Sequence, residues 1–254
     1  MDIEGIVLGK TKIKESDLIV NLLLRSGKKQ SAYIYGGAGG GRRNRGSVFE
    51  LGYLVQGNVL QNKKYNHQTI TMSKSQIQWK HDNIRKNFKT FYSLNFVLEL
   101  VKKIAVDEDI ELSNDHDQEL FSVLSNTIYQ LNQESLKSQV NILSIFLQRI
   151  INYTGTLPNL DQCIICGENI ERKEKTSLVL SEGGFSHLTC SNGRVSDQGV
   201  RNLLIDLCQT RFQDINSLEQ IEFSQLHEMF SYFCYQLDMD QNGFQTWSFL
   251  GKTL

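Results

Sequence analysis

The chain has 254 residues, 40% of them apolar and 22% charged, with a net charge of −1, which is room for one large domain or two modest ones with real cores. No run approaches the ~18 uninterrupted apolar residues of a membrane span, and Met1-Asp2-Ile3-Glu4 lacks the basic region and apolar core of a secretion signal. Five cysteines without disulfide-like density fit a reducing compartment, so the expectation is a cytoplasmic protein with no membrane partner.

The near-zero charge hides an asymmetry. Residues 1–80 hold 13 Lys and Arg against 5 Asp and Glu, whereas the remaining 174 hold 14 against 23. A basic first third joined to an acidic remainder points to a polyanion-binding module attached to something else.

The first 75 residues have the pattern of strands. Ile3–Gly9, Leu18–Leu24, Gln30–Tyr35, Glu50–Val59 and Gln68–Met72 are short, rich in β-branched and aromatic residues, and separated by Gly, Ser, Asn and Lys. Five strands at this spacing predict a small barrel, with the oligonucleotide/oligosaccharide-binding (OB) barrel as the natural candidate and an SH3-like barrel as the alternative.

Beyond residue 80 the apolar period becomes helical. Phe88, Phe91, Leu94, Leu98, Val101 and Ile104 form one stripe, and Phe121, Leu124, Ile128 and Leu131 a second, with Asp115 and Gln118 as a capping box. Val140, Leu143, Leu147, Ile150 and Ile151 form a third that ends at Gly155, before the lone proline, Pro158. Later stripes are Val200–Cys208 and Phe223–Leu237, the last closed by Asn242-Gly243. The predicted organisation is α+β, with a five-stranded OB-fold barrel over residues 1–80. An all-helical domain follows over 81–254, interrupted at about 160–195 by an inserted loop that carries Cys163, Cys166, His187 and Cys190 in ligand spacing for zinc.

Cys163-Ile-Ile-Cys166 and His187-Leu-Thr-Cys190 stand 20 residues apart. Two such pairs are what a closed tetrahedral zinc site needs, because each chelates from one tight turn and the spacer returns as a ribbon. Gly167 follows the first pair and Gly183-Gly184 precede the second, where turns need conformational freedom. Four ligands with no open position predict one structural Zn2+ per chain.

Gly36–Gly41 runs into Arg42-Arg43-Asn44-Arg45, which lacks the Gly-Lys-Ser/Thr ending of a phosphate-binding P-loop. What it offers is three guanidiniums on a glycine hinge, suited to phosphate oxygens. Lys10, Lys12, Lys14, Lys28, Lys29, Lys63 and Lys64 lie at strand ends, and Tyr33 and Tyr35 share one face of their strand. Basic rims with aromatic platforms suit single-strand binding, so Lys28, Lys29, Arg42, Arg43, Arg45, Lys63 and Lys64 are the candidate nucleic-acid contacts. Tyr33 and Tyr35 either stack on bases or fill the barrel.

No catalytic residue is expected. Asp238-Met-Asp240-Gln-Asn242-Gly243 begins like an EF-hand loop, but Phe249 stands where the bidentate Glu should be. The H-x-E motif of zinc deaminases is absent, and His67, His81, His116 and His227 have no partnered nucleophile or base.

These pieces together resemble the RecO family of bacterial recombination mediators over nearly the whole chain. Gly5-Ile-Val-Leu and Lys14-Glu-Ser-Asp17-Leu-Ile-Val20 are similar to the family's first two barrel strands and their turn. The resemblance is strongest at Gly155-Thr-Leu-Pro158-Asn-Leu-Asp-Gln-Cys163-Ile-Ile-Cys166-Gly167, close to a G-x-x-P-x-L-x-x-C-x-x-C-G pattern, and at Gly183-Gly184-Phe-Ser-His187-Leu-Thr-Cys190, where many members carry Cys in place of His187. The resemblance implies binding of single- and double-stranded DNA and annealing of complementary strands. It also implies partnership with RecR and with single-strand-binding protein, RecA loading as the indirect result, and a bacterial cytoplasmic location at the nucleoid during repair. The alternative reading is a zinc-stabilised protein-interaction or RNA-binding scaffold without annealing activity.

Overall fold

The computed structural model describes residues 2–13, 15–38, 46–60, 69–108, 117–133, 138–191 and 199–254. The chain forms two compact units, Met1–Glu134 and Ser135–Leu254, and the change from strand to helix near residue 80 falls inside the first.

In the first unit β1 (Asp2–Ile13), β2 (Asp17–Leu24), β3 (Lys29–Ile34), β4 (Leu54–Leu60) and β5 (Thr69–Trp79) close a barrel in the order β1-β2-β3-β5-β4. All contacts are antiparallel except β3 with β5, which is the OB connectivity. Alternation puts Val7, Leu18, Val20, Leu22, Ala32, Ile34, Val55 and Met72 inside, with Phe49 closing the core. Each large aliphatic side chain buried this way contributes about 1.5–3 kcal/mol. The interior is tight enough to need glycine on β4: a Cβ on Gly57 would stand 2.4 Å from Met72 Cε.

Strand limits differ from the sequence expectation by a residue at β2 and β3 and by more at the other three strands; the first runs on to Ile13, four residues past Gly9. The fourth strand starts at Leu54, because Glu50–Tyr53 form a turn with Gly52 at φ 77°, and Tyr53 N–H donates to the Glu50 carbonyl at 3.0 Å. The fifth continues to Trp79, well past Met72, through polar residues paired with β4.

Helix α1 (Phe88–Ile104) is capped by Asn87, whose side chain accepts from Lys89 and Thr90 amides, and α2 (Asp117–Leu131) follows. The expected cap residue Asp115 lies outside the described residues.

His81 is a buried titratable group of this unit, 1% exposed. Its Nε2–H donates to the Leu51 carbonyl at 2.8 Å, while Nδ1 has no hydrogen-bond partner. Burial lowers its pKa; the Leu51 carbonyl and the Asp82 and Glu50 charges oppose this and Arg85 adds to it. The unfolded imidazole takes up a proton as pH falls through about 6.5 while the folded one resists, so stability is complete above that value and declines below it. The urea midpoint is therefore expected to fall between pH 7 and pH 5.5, with a slope of at most about 1.4 kcal/mol per pH unit from this group. A His81→Leu variant with an unchanged slope over that window would refute the assignment.

The second unit is built on α3 (Gln139–Tyr153), apolar almost all round and buried along most of its length. It packs with α4 (Val200–Gln209) and α5 (Phe223–Gln236). Helix α3 stops as the sequence suggests: Gly155 has φ 70° and Thr156 N–H donates back to the Ile151 carbonyl at 3.0 Å. Helix α5 ends earlier than Asn242-Gly243. Asp238 takes the left-handed position at φ 51°, and Met239 N–H donates to the Cys234 carbonyl at 2.8 Å. A further short helix, α6 (Gln245–Leu250), was not legible in the apolar spacing. Inserted between α3 and α4 is an antiparallel ribbon of β6 (Thr176–Val179) and β7 (Gly184–His187). Among the described residues no helix is long and apolar enough to cross a membrane.

Candidate metal centre and nucleic-acid interface

The ribbon brings the two ligand pairs together. Cys163, Cys166, His187 and Cys190 each present one ligand atom, all within 4.8 Å of one another. The first pair sits on a knuckle held by backbone bonds. Gly167 N–H donates to the Cys163 carbonyl at 2.8 Å with Gly167 at φ 76°, and Cys163 N–H donates to the Glu168 carbonyl at 2.8 Å. Ile164 N–H donates to the Phe185 carbonyl of β7, fixing the knuckle to the second pair's strand. Gly184 makes that approach possible, since a Cβ there would lie 3.2 Å from Ile164 Cβ. The second pair closes on its own turn, Cys190 N–H to the His187 carbonyl at 3.0 Å.

The imidazole is oriented for ligation. His187 Nδ1 lies 3.5 Å from Cys166 Sγ and 3.8 Å from Cys190 Sγ, while Nε2 faces the Asn169 carbonyl at 3.3 Å and Glu174 Oε2 at 3.6 Å. A tetrahedral site with metal–sulfur distances of about 2.3 Å and metal–nitrogen distances of about 2.0–2.1 Å has edges of roughly 3.5–3.8 Å, so the donors fit a metal ion. Burial pushes the Cys163 thiol up, but the amides of Cys166, His187 and Ile165 outweigh it and lower it to about 6. Burial and the neighbouring sulfurs of Cys166 and Cys163 push Cys190 up to about 11. Three thiolates together would repel one another, and a bound cation offsets that repulsion.

A residue that the spacing did not flag braces this loop. Arg201 on α4 is 3% exposed, and its guanidinium donates to three backbone carbonyls: Leu160 at 2.7 Å, Ile170 at 2.7 Å and Glu171 at 3.1 Å. The Tyr232 hydroxyl of α5 donates to the Thr156 carbonyl at 2.8 Å and the Gly183 carbonyl at 3.2 Å, and burial pushes its pKa up to about 12.

The candidate nucleic-acid residues fall into three groups. Arg42, Arg43, Arg45, Lys63 and Lys64 lie outside the described residues. Lys29 is engaged at the end of α1: its Nζ lies 3.3 Å from Asp107 Oδ1 and donates to the Lys102 carbonyl at 3.5 Å. Lys28, at the β2–β3 turn, is half-buried. Tyr33 and Tyr35 are beside each other, ring centroids 4.6 Å apart, but in different surroundings. Ala32 and Ile34 occupy the barrel core, so Tyr33 points to the other side of the strand. Tyr33 is buried there with its hydroxyl on Asp17, whose other oxygen accepts from Gly36 N–H at 2.8 Å; Tyr35 is 47% exposed. The β1–β2 turn therefore anchors the start of the glycine segment, with Ala38 N–H donating to the Ser16 carbonyl at 2.7 Å.

Residues 85–234, well over half of the 254, match the family Recombination protein O C terminal. The chain belongs to the RecO family. Its RecO relatives include proteins named DNA repair protein RecO from Syntrophus aciditrophicus, 25% identical over 187 residues (74% of this chain, 68% of the relative), and from Syntrophobacter fumaroxidans, 27% identical over 215 residues (80% and 74%). A third, from Desulforamulus reducens, is 21% identical over 228 residues, covering 88% of this chain and 82% of that RecO.

Proposed function

We propose that this chain is a DNA repair and recombination mediator without catalytic chemistry of its own. It binds single- and double-stranded DNA, anneals complementary strands, and with RecR helps load RecA onto DNA coated by single-strand-binding protein in the bacterial cytoplasm. The observation that carries this reading is membership of the RecO family on a chain that begins with a closed OB-type barrel. Annealing needs cations that reduce repulsion between strands while base edges stay free to pair. Arg42, Arg43 and Arg45 are assigned that work, with Lys28, Lys63 and Lys64 as further contacts and Tyr35 as a base platform.

Cys163, Cys166, His187 and Cys190 hold a structural Zn2+, for which three thiolates and one imidazole are the fitting donor set. The ion supplies a cross-link between the knuckle and the ribbon. The residues of the chain do the rest: β7 positions His187, and Asn169 and Glu174 orient its ring.

Replacing Arg42, Arg43 and Arg45 together by Ala is expected to weaken binding of unrelated single-stranded sequences alike and to flatten the salt dependence by about 2 units in log–log slope, three phosphate contacts at ~0.7 each. Unchanged affinity would remove the loop from the interface. Strand annealing with and without single-strand-binding protein tests the mediator role. The carboxylate partners of Lys10, Arg25 and Lys29 favour the alternative, a protein-interaction or RNA-binding scaffold, and that scaffold predicts no annealing.

A further inference from the structure

Among the described residues, four cations of the barrel and its end are already committed. Lys10 pairs with Glu50 at 3.0 Å, Arg25 with Glu4 at 2.8 Å, Lys29 with Asp107 at 3.3 Å and Lys80 with Asp82 at 3.1 Å. Lys74, exposed on β5, makes no ion pair or side-chain hydrogen bond among the described residues. Its backbone is unusual as well. Lys74 has φ 47° and, with Asp238, is one of two non-glycine residues at positive φ among those described.

The cause is a bulge. Asn58 pairs with Ser73 and Gln56 with Gln76, so Lys74 and Ser75 together stand opposite Gly57. The bulge accompanies the passage of Met72 across Gly57, which leaves no room for a side chain on β4. Glycine is the unstrained residue for the left-handed position of such a bulge, and lysine is disfavoured there. The fold asks for the bulge but not for the lysine, and strain of that kind is a pointer to function. Location supplies the rest. The last parallel pair between β3 and β5 is Tyr33 with Thr71; the exposed Tyr35 follows two residues later along one chain segment and Lys74 three residues later along the other.

We propose that Lys74 is a phosphate contact for single-stranded DNA crossing the barrel at Tyr35, its charge retained in spite of a backbone better suited to glycine. This rests on the DNA-binding reading above. The test compares parent, Lys74→Gly and Lys74→Arg in thermal melts and in titrations of oligothymidylate over a range of salt. Lys74→Gly is expected to melt at or above the parent temperature, yet to bind about fivefold more weakly at 0.1 M salt with a slope shallower by about 0.7. Lys74→Arg is expected to keep the parent affinity within about twofold, since the charge remains. If the parent binds and Lys74→Gly binds equally with the same slope, this inference falls while the DNA-binding reading stands. Weaker binding together with a lower melting temperature would make Lys74 structural, and also overturns it. A parent that does not bind at all overturns the DNA-binding reading itself.

Discussion

Replacing Cys163 with serine is expected to abolish tight metal retention and to destabilise the second unit by about 4 kcal/mol or more, the range reached when a structural metal is lost. Three features of the site make the effect large. Cys163 is 1% exposed, so a serine hydroxyl there would be buried where a thiolate belongs. Its thiolate is held by the amides of Cys166, His187 and Ile165, donors placed for a negatively charged sulfur. The knuckle and the ribbon otherwise join through few bonds, chiefly Ile164 N–H to Phe185. A four-ligand zinc site carries about 10–16 kcal/mol of apparent binding energy in small domains, and that energy is available only to the folded chain.

The parent treated with a strong chelator is expected to match the variant, because both lack the cross-link. Metal content by elemental analysis and unfolding followed by thermal melts read the two effects separately. A Cys163→Ser protein that folds and melts like the parent without metal would mean the four side chains are not a structural site. His187→Cys provides a complementary check. It keeps four donors in place, so metal is expected to remain bound and the melting temperature to change little.

Local patterns were the legible part of this molecule. The two ligand pairs were readable because chelation from a tight turn fixes a spacing of two residues, and the glycines mark the turns. The barrel was readable because period two and turn residues recur within short windows, and α3 because its apolar stripe runs to a glycine stop. Non-local features were not. Lys29 looked like a phosphate contact in its basic cluster, yet Asp107, far along the chain, reaches it. Alternation puts Tyr33 and Tyr35 on one strand face, but the strand ends at Ile34, leaving Tyr33 buried on Asp17 and Tyr35 exposed in the turn that follows. The left-handed backbone at Lys74 follows from strand register against Gly57, which no spacing rule within β5 reports. Helix α6, at six residues, is shorter than the window in which a helical period can be recognised.

Arg201 is the clearest case of a residue silent in sequence, and its replacement by alanine is expected to be nearly as damaging as loss of a ligand. Following Val200 in a short amphipathic helix, it reads as an ordinary solvated arginine. Its three carbonyl partners lie 30 to 41 residues away, on both sides of the first ligand pair. Truncation removes every one of these donors at once. The Ile170 bond is buried and the other two partly so. A buried carbonyl left unpaired costs about 1–3 kcal/mol and a partly exposed one less, and neighbouring losses are not additive, so a total of about 2–4 kcal/mol is expected in urea unfolding. Lysine should recover only part of this, since a single ammonium cannot reproduce the guanidinium fork across carbonyls on separate segments. The same carbonyl segments carry the knuckle, because Ile170 N–H donates to the Asp161 carbonyl and Cys163 N–H to that of Glu168. Metal affinity, read by competition with a coloured chelator, is therefore expected to fall roughly 10–100-fold in Arg201→Ala although no ligand is touched, the range found for outer-shell supports. An alanine variant within 1 kcal/mol of the parent, or one that holds metal as tightly, would show that the ribbon keeps its shape without the arginine.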